Sequence, residues 1–410
     1  MNQPWILTGI APNLEADDVH LAWTELRRPF GWQKGNDVDA LERAMSRRIG
    51  ISHAVAFESG RTALTAVLHA LGIGAGDDVL LQAFTCVAVP NAVRWVGANP
   101  VFVDCAAETF NVSLTDLEQK VTSKTKAVIF QHTFGNPSGI EEAVAFAKQC
   151  NLLIIEDAAH VLGGSVGGKA IGTFGQAAIV SFGRDKPISA VFGGMVITSD
   201  AATAEKLRSI QSDAGASSMV WTMRQLLHGP ILSIAKRHYG NAFGRGLLAL
   251  ARALHLISLA VTAGEKRGER PGWTGRKMAP TLARLALHQL EKLDQFNQHR
   301  RDMERAYRLA WSEGVFQRID ERTEAPLLRL TALVEDAKKA RTNALREQIV
   351  LGNWYDAPIA PAGTDCVAIG YVRGSCPAAE RLATQAVNLP TDIHVSVDDV
   401  PRIIHAVRGS

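Results

Sequence analysis

Short apolar runs recur along the first half of the chain, from about residue 50 to residue 200. Each run has four to six residues, is rich in Val, Ile, Leu or Phe, and is bounded by Gly, Asp, Asn or Pro. Such runs are typical of strands buried on both faces of a largely parallel sheet. Because helix-like segments such as 62–71 and 139–149 separate them, they predict an α/β fold of about seven mostly parallel strands flanked by helices. The predicted strands are 53–57, 79–83, 100–104, 127–131, 152–156, 177–182 and 194–198.

The second half of the chain has a looser pattern. Residues 282–312 are predicted to form one long helix, and segments 327–334, 338–349 and 398–407 indicate a smaller α+β C-terminal domain. A composition of 47% hydrophobic and 21% charged residues excludes a disordered or fibrous protein. The predicted division is an N-terminal arm (1–30), a large cofactor-binding domain (31–213), an inserted segment (214–272), and the long helix with the small domain (273–410).

Cysteine and charge patterns narrow the functional class. The five cysteines are widely spaced and show no zinc-ligand pattern, so we expect a reduced cytoplasmic protein without a metal site. The first 18 residues have neither a basic region nor a long apolar run, so they do not resemble a secretory signal. A net charge of only +3 gives no indication of nucleic-acid binding.

Chemically active residue types follow the predicted strands, where ligands bind in parallel sheets. Gly60 precedes a helix whose free N–H groups favour an anion, and Asp157 follows a buried strand, where it needs a cationic partner. Ser181 and Lys186 follow another strand. Pyridoxal phosphate (PLP) requires an anion cradle, an acid for its ring nitrogen and a lysine, so this combination predicts a PLP site. The motifs are 58–62 (ESGRT), 84–86 (FTC), 131–133 (QHT), 156–160 (EDAAH) and 181–186 (SFGRDK).

With these motifs in this order, the chain resembles the DegT/DnrJ/EryC1/StrS family of PLP-dependent sugar aminotransferases, which have the fold-type I architecture. The EDAAH and SFGRDK pair is the most specific part of the resemblance, which runs from about Leu7 to the C-terminus. Further matching segments are 59–64 (SGRTAL), 83–85 (AFT), 99–104 (NPVFVD), 193–198 (GGMVIT), 285–296 (LALHQLEKLDQF) and 386–391 (AVNLPT).

The resemblance implies roles for individual residues. Lys186 matches the Schiff-base lysine, which argues against the dehydratase branch of the family, and Asp157 matches the partner of the pyridine nitrogen. Glutamate is the expected amino donor, a nucleotide-linked or membrane-borne keto sugar is the expected acceptor, and the resemblance implies a homodimer. His132 and Arg184 are candidate substrate ligands. The remaining expected cofactor-binding residues are His160, Ser181, Gly60, Arg61, Thr62, Phe84 and Cys86.

The chain departs from the family pattern at four positions. Cys86 stands where an aromatic residue usually stacks on the cofactor ring, and Phe84 is the alternative stacking residue. Phe134 replaces a tyrosine, and Pro187 follows the lysine where asparagine is common. Gly275 occupies the position of an asparagine that reaches the cofactor phosphate from the partner subunit. The neighbouring cations at 276 and 277 are candidate substitutes for that contact.

Residues 163–169 fit the nucleotide-binding pattern GxxxxGK. That pattern requires Ser or Thr next, as a magnesium ligand, and a helix after it. Ala170 follows instead, and the flanking residues predict a hairpin. We therefore do not expect nucleotide hydrolysis.

The segment 214–264 contains five cations and no acid, so the rest of the chain has a net charge of +3 − 5 = −2. Residues 246–264 would form a helix ~28 Å long, with apolar residues on one face and Arg245, Arg252, His255 and Thr262 roughly opposite. Two interpretations remain open: contact with the anionic inner face of the membrane, or packing on the body or a dimer mate. A non-catalytic or regulatory PLP-fold protein at the membrane is the alternative function. The apolar residues are Phe243, Leu247, Leu250, Leu254, Ile257 and Val261.

Overall fold

The computed structural model describes residues 4–9 and 11–409. All seven predicted strands form one sheet, so the predicted α/β sheet is confirmed. Numbered in chain order, they lie in the spatial order β1-β7-β6-β5-β4-β2-β3. Their bounds are β1 His53–Phe57, β2 Asp78–Gln82, β3 Asn99–Val103, β4 Thr125–Gln131, β5 Leu153–Asp157, β6 Ala177–Ser181 and β7 Gly194–Thr198.

The sheet is parallel except for β7, which runs antiparallel to both β1 and β6. The carboxyl ends of the other strands therefore meet at one edge, and the start of β7 at Gly194 lies opposite Phe57 and Ser181 at that same edge. This topology places the motifs that follow β1, β5 and β6 together, although Gly60 and Lys186 are 126 positions apart in the chain.

Both faces of the sheet are buried, which explains the continuous apolar runs. Alternating residues of β1, such as Val55 and Ala56, belong to hydrophobic clusters on opposite faces. The helices are α1 Ala16–Leu26, α2 Asp37–Ile49, α3 Gly60–Ala70, α4 Ala88–Trp95, α5 Leu114–Lys120, α6 Ile140–Gln149, α7 Ala201–Asp213, α8 Met219–Arg237, α9 Ala242–Ala253, α10 Pro280–Glu291, α11 Leu293–Ala310, α12 Ala337–Arg346, α13 Cys366–Ile369, α14 Pro377–Gln385 and α15 Val400–Arg408.

The C-terminal part has its own small antiparallel sheet, formed by Val315–Phe316, Leu330–Leu333 and Ala386–Leu389. The N-terminal pair Ile6–Leu7 runs parallel to Ile349–Val350 and so joins this part of the molecule. Residues 1–3, 10 and 410, which the predicted N-terminal arm and C-terminal domain include, lie outside the described residues. The GxxxxGK segment forms a hairpin, in which Ser165–Val166 pairs with Lys169–Ala170.

The prediction of one helix over 282–312 is wrong, because Lys292 separates α10 from α11. At that point the Lys292 N–H bonds to Gln289, three residues back, and the regular ladder is interrupted. The Lys292 ammonium instead reaches the carboxylates of Asp17 and Asp18 at the start of α1.

The predicted helix 246–264 is also wrong beyond residue 253. His255 adopts a positive φ of 54°, and the N–H of Leu256 bonds to the carbonyl of Ala251, which is the pattern that closes a helix. The chain then runs irregularly to a 3₁₀ turn at Glu265–Arg267. Within the described residues, no helix has the length and apolar character needed to cross a membrane.

Candidate active site

A cavity of about 410 Å³ lies at the carboxyl edge of the sheet. Its wall includes Asp157 at the end of β5, Ser181 at the end of β6, Lys186 in the following loop, and Gly60 at the start of α3. The structure thus brings the acid, the hydroxyl, the lysine and the helix start of the predicted site to one cavity.

Asp157 and Lys186 influence each other electrostatically across the cavity. Burial raises the pKa of Asp157, and the charge of Lys186 opposes that shift. Burial likewise lowers the pKa of Lys186, against the opposing effect of Asp157. The Ala159 N–H donates to Asp157 Oδ1 at 3.0 Å, which fixes the carboxylate at the end of its strand. A lysine of lowered pKa reaches its neutral, proton-accepting form closer to neutral pH.

The start of α3 forms an anion cradle. The Ser59 hydroxyl caps the helix by accepting from Thr62 N–H, and the first N–H groups of the helix have no intrahelical acceptor. A Cβ at Gly60 would lie 3.2 Å from Ser181 Oγ, and one at Gly194 would lie 2.3 Å from Gly60 N. Glycine at 60 therefore keeps the space beside the Ser181 hydroxyl open, and glycine at 194 lets β7 pass close to the backbone at the start of α3.

His160 lines the cavity between two aromatic rings. Its ring stacks on Phe134 at 5.9 Å and on Trp354 at 5.3 Å between centroids. Its Nδ1 accepts from the Phe134 N–H at 3.2 Å, and burial holds its pKa well below the usual range, so the imidazole is neutral. This position at the cavity wall agrees with the placement expected beside the cofactor ring.

Sequence reasoning missed the aromatic pair Trp354 and Tyr355, which lines the cavity from the C-terminal part. Lys186 Nζ lies 5.0 Å and the Arg329 guanidinium 4.4 Å from the Trp354 ring centroid. The pair lies outside the helices and strands, so no periodic pattern marked it. Its four-residue context NWYD, polar and aromatic together, is the one signal that the sequence offered.

Three expected site residues do not line the cavity. Phe84 is fully buried and packs edge-on against neighbouring aromatic rings, so it cannot stack on a ligand. The Thr62 hydroxyl bonds to Glu58 and accepts from Gly275 N–H at 3.0 Å, away from the cavity. His132 is fully buried, and its Nε2 lies 3.1 Å from Glu156. Each of these residues lies after a strand or at the start of a helix, as predicted, but its side chain points into the protein. The spacing of residues in the sequence does not determine that orientation.

Cys86 does line the cavity, beside Asp157 and Lys186. Burial raises the pKa of its thiol, so the side chain is a neutral, weakly polar surface where the family resemblance implies an aromatic ring. The two cations that could replace the partner-subunit asparagine lie away from the cavity of their own chain, and a contact with the cavity of a partner subunit stays a prediction. Arg276 and Lys277 are exposed and pair along the backbone with Gly215–Ala216.

Arg61 joins α3 to the inserted segment. Its Nη1 lies 2.6 Å from the fully buried Glu265, and its Nη2 donates to the Ala260 carbonyl at 2.8 Å. The second Glu265 oxygen accepts from the N–H and hydroxyl of Thr262 at 2.8 and 2.9 Å. This ion pair holds residues 259–261, which line the cavity, against the start of α3.

These residues fit pyridoxal phosphate. Asp157 would hold the protonated ring nitrogen, Lys186 would bind the carbonyl carbon, and Ser181 with the Gly60 backbone would hold the phosphate. The narrow space between Gly60 and Ser181, which any side chain at residue 60 would fill, is the structural observation that supports this fit.

The sequence model of the DegT/DnrJ/EryC1/StrS aminotransferase family matches residues 16–228 and 246–408. The chain belongs to this family. The family depends on pyridoxal phosphate, in agreement with the cavity. The match is interrupted at 229–245, from the middle of α8 to the first turn of α9.

Curated relatives carry names from sugar metabolism. The chain is 41% identical to GDP-perosamine synthase of Escherichia coli O157:H7 over 167 residues, which is 41% of this chain and 46% of that protein. The matched part thus spans about half the length of that relative. A longer match, 28% identical over 388 residues, joins 92% of the chain to 90% of the spore coat polysaccharide biosynthesis protein SpsC of Bacillus subtilis strain 168.

Solved structures share the fold. A putative sugar aminotransferase from Streptococcus pneumoniae, in its PMP form, is 21% identical with a TM-score of 0.75, and the match covers 99% of this chain and 98% of that one. An E. coli GDP-4-keto-6-deoxy-D-mannose-3-dehydratase with bound hydrated PLP is 16% identical with a TM-score of 0.76, covering 99% and 100%. At these identities the likeness shows the fold alone.

Proposed function

We propose that this protein is a PLP-dependent aminotransferase that moves an amino group from glutamate to a keto sugar. The observation that carries the proposal is the convergence of Asp157, Lys186 and the Gly60–Ser181 anion cradle on one cavity. Family membership supports the same reaction class.

When bound, pyridoxal phosphate supplies a carbonyl that takes up the amino group and a protonated ring that withdraws electrons. Lys186 would hold the cofactor through that carbonyl carbon, and its Nζ would accept and return the proton of the donor Cα. Its lowered pKa brings Nζ closer to its neutral, proton-accepting form. The Asp157 carboxylate keeps the ring nitrogen protonated, and neutral His160 adds no charge beside the ring.

The acceptor is proposed to be a keto sugar carried on a nucleotide or on a membrane lipid. Support comes from the names of relatives, which include GDP-perosamine synthase. Another is the UDP-N-acetyl-3-dehydro-alpha-D-glucosamine 3-aminotransferase of Acidithiobacillus ferrooxidans, which is 38% identical over 179 residues. A membrane-borne acceptor is also consistent with the cavity mouth, because Leu259 of the inserted segment lines the cavity and is 55% exposed.

A half-reaction tests the activity. Glutamate added to the PLP-loaded protein should change the visible absorbance of the bound cofactor, and 2-oxoglutarate should be released. Lys186→Ala should lose both the change and at least about 10²-fold of the turnover, whereas Lys169→Ala, an exposed lysine of the Ser165–Ala170 hairpin, should behave as wild type. Absence of conversion with every amino donor would instead support the alternative, a non-catalytic PLP-fold protein.

We also propose that the inserted segment contacts the cytoplasmic surface of the membrane. On α9, residues Gly244, Leu248 and Ala251 are buried against the body. Phe243, Leu250 and the capping residue Leu254 remain 60%, 55% and 58% exposed. Arg245 and Arg252 are exposed on the same helix, roughly opposite this stripe, and no acid occurs from 214 to 264. A basic, acid-free helix with an exposed apolar stripe suits an anionic lipid surface.

Vesicle sedimentation tests this surface. The full chain should sediment with phosphatidylglycerol vesicles and less with phosphatidylcholine vesicles. A triple serine variant of Phe243, Leu250 and Leu254 should remain in the supernatant. The matched control replaces three exposed apolar residues elsewhere, Leu309, Val367 and Val372. Equal sedimentation of the two triple variants would contradict the proposal.

A homodimer is the expected assembly, because the family resemblance implies sites at a subunit interface. Sedimentation velocity should show that the full chain is a dimer. The triple serine variant of α9 should dimerise as well. A dimer lost specifically in that variant would indicate that a second copy, rather than lipid, covers the stripe.

A further inference from the structure

Two arginines approach the same aromatic ring at the wall of the cavity. The guanidinium carbon of Arg61 lies 5.9 Å and that of Arg184 lies 5.5 Å from the centroid of Phe192. Arg61 is neutralised by Glu265 at 2.6 Å and by the Ala260 carbonyl. Its charge therefore belongs to the contact with the inserted segment and is not free for a ligand.

Arg184 has no such partner. Among residues 4–9 and 11–409, its guanidinium makes neither a hydrogen bond nor an ion pair, and Nη2 is a buried atom without an acceptor. The adjacent Asp185 forms no ion pair with Arg184 and is influenced more strongly by Arg329, although its charge opposes the lowering of the Arg184 pKa by burial. A buried guanidinium without a partner costs free energy unless a ligand supplies the acceptor.

A second, smaller cavity of about 40 Å³ lies behind Arg184, on the side of α8. His228 and Gln225 line it, and His228, which is 4% exposed, has no hydrogen-bond partner at either ring nitrogen. Burial keeps the pKa of His228 well below its usual range, so this imidazole is neutral. The acid in this wall, Asp18, is paired with Lys292 at 2.9 Å. Neither group neutralises Arg184.

We propose that Arg184 is the anion-binding side chain of the main cavity and receives phosphate or carboxylate oxygens, with His228 and Gln225 as its neutral polar backing. A planar guanidinium donates two parallel hydrogen bonds to either group. The anion comes either from the cofactor phosphate, where it supplies the contact that Gly275 cannot make, or from the carboxylate of the amino donor. The second source rests on the proposed function.

Burial lowers the pKa of Arg184 to about 10, which still leaves it charged at neutral pH. The other cations that act on it are Arg61, tied to Glu265, and Arg252 of α9. Together with Lys186, Arg184 is thus a charged donor of this wall that the described structure leaves without an acceptor.

Binding measurements with Arg184→Met test the proposal in the full-length protein. PLP and pyridoxal, which lacks the phosphate, are titrated into the cofactor-free protein and followed by absorbance. Succinate is titrated into the PLP-loaded protein as a non-reacting dicarboxylate. We expect at least a tenfold weaker binding of one anion in Arg184→Met, with Arg184→Lys intermediate because it keeps the charge and loses the planar fork. Arg237→Met, an exposed arginine at the end of α8, is the matched control.

Each outcome either supports or overturns the role of Arg184 as the anion-binding side chain. Weaker PLP with unchanged pyridoxal supports the proposal and identifies the cofactor phosphate, and weaker succinate supports it and identifies the substrate carboxylate. Unchanged affinity for PLP and succinate in both Arg184 variants overturns it. If Arg184→Met does not fold, the Arg184→Lys affinities decide alone. None of these measurements needs turnover, so failure of transamination in the wild type would refute the proposed function without touching this result.

Discussion

The carboxyl edge of the sheet and helix α9 depart from the usual pattern of burial in opposite ways. At the sheet edge, the Asp157 carboxylate is buried and faces a cavity, and the Nη2 atom of Arg184 in the same wall is buried without a partner. On α9, apolar side chains such as Phe243 and Leu250 are more than half exposed. A buried charge indicates a small ligand of opposite charge, and an exposed apolar stripe indicates a large partner.

The two regions meet at one buried ion pair, between Arg61 and Glu265. Arg61 belongs to the cofactor end of α3, and Glu265 lies just beyond the acid-free segment. Through this contact, residues 259–261 form part of the cavity wall. Variants in each region should show how far activity at the cavity, stability and vesicle binding are independent.

Asp157→Asn should affect the cavity alone. Because the neutral amide cannot hold the ring nitrogen protonated, kcat/KM should fall by about 10²-fold or more, comparable to the loss of a preorganised electrostatic group. Vesicle binding should not change. Steady-state kinetics and sedimentation measure the two effects, with Asp213→Asn at the exposed end of α7 as control. A parallel loss of vesicle binding would show that the regions are coupled.

Glu265→Met should break the contact between the regions. Leaving the Arg61 guanidinium buried without its acid should lower the free energy of unfolding by about 3 kcal/mol, and proteases should cut 254–264 faster. The double variant Arg61→Met/Glu265→Met should recover part of the loss. Disrupting the exposed pair by Arg267→Met should cost less than about 1 kcal/mol. Equal costs in urea unfolding would contradict the structural role of the buried pair.

Glu58→Gln should remove a pH dependence that belongs to the sheet edge. Burial raises the pKa of Glu58 from 4.5 to about 7. The folded protein therefore binds this proton more tightly than the unfolded chain, and the associated stability is present below pH 4.5 and lost as pH rises through about 7. The wild type should lose up to about 3 kcal/mol relative to the variant across that window. Parallel stability curves from urea unfolding would contradict this pKa.

Leu248→Ala and Leu250→Ala should separate the two faces of α9. Leu248 is buried against Leu232 and Ala235, so its truncation should lower the free energy of unfolding by about 2 kcal/mol. Leu250 is 55% exposed, and its truncation should change stability by less than about 0.5 kcal/mol while weakening vesicle binding. Similar thermal denaturation midpoints for the two variants would show that Leu250 packs in solution.

Much of the fold was predictable because the sheet is buried on both faces, which leaves uninterrupted apolar runs in the sequence. Strands 53–57 and 194–198 were predicted to the residue. Local signals failed where a helix ends inside an apolar pattern. Residues 254–264 continue the helical spacing, but the left-handed His255 ends α9, and Ile257 then packs in the body.

For the site, the sequence by itself determined which chemical groups are present and which strand ends carry them. Those decisions are local, since motifs such as EDAAH and SFGRDK follow directly from their strands. Only the tertiary structure decided where side chains point and which charges are paired: Thr62 and His132 face the interior, Trp354 enters the cavity from the C-terminal part, and Arg61 is paired whereas Arg184 is not. Pairing depends on contacts such as that of Arg61 with Glu265, 204 residues apart, and no local pattern specifies such a contact.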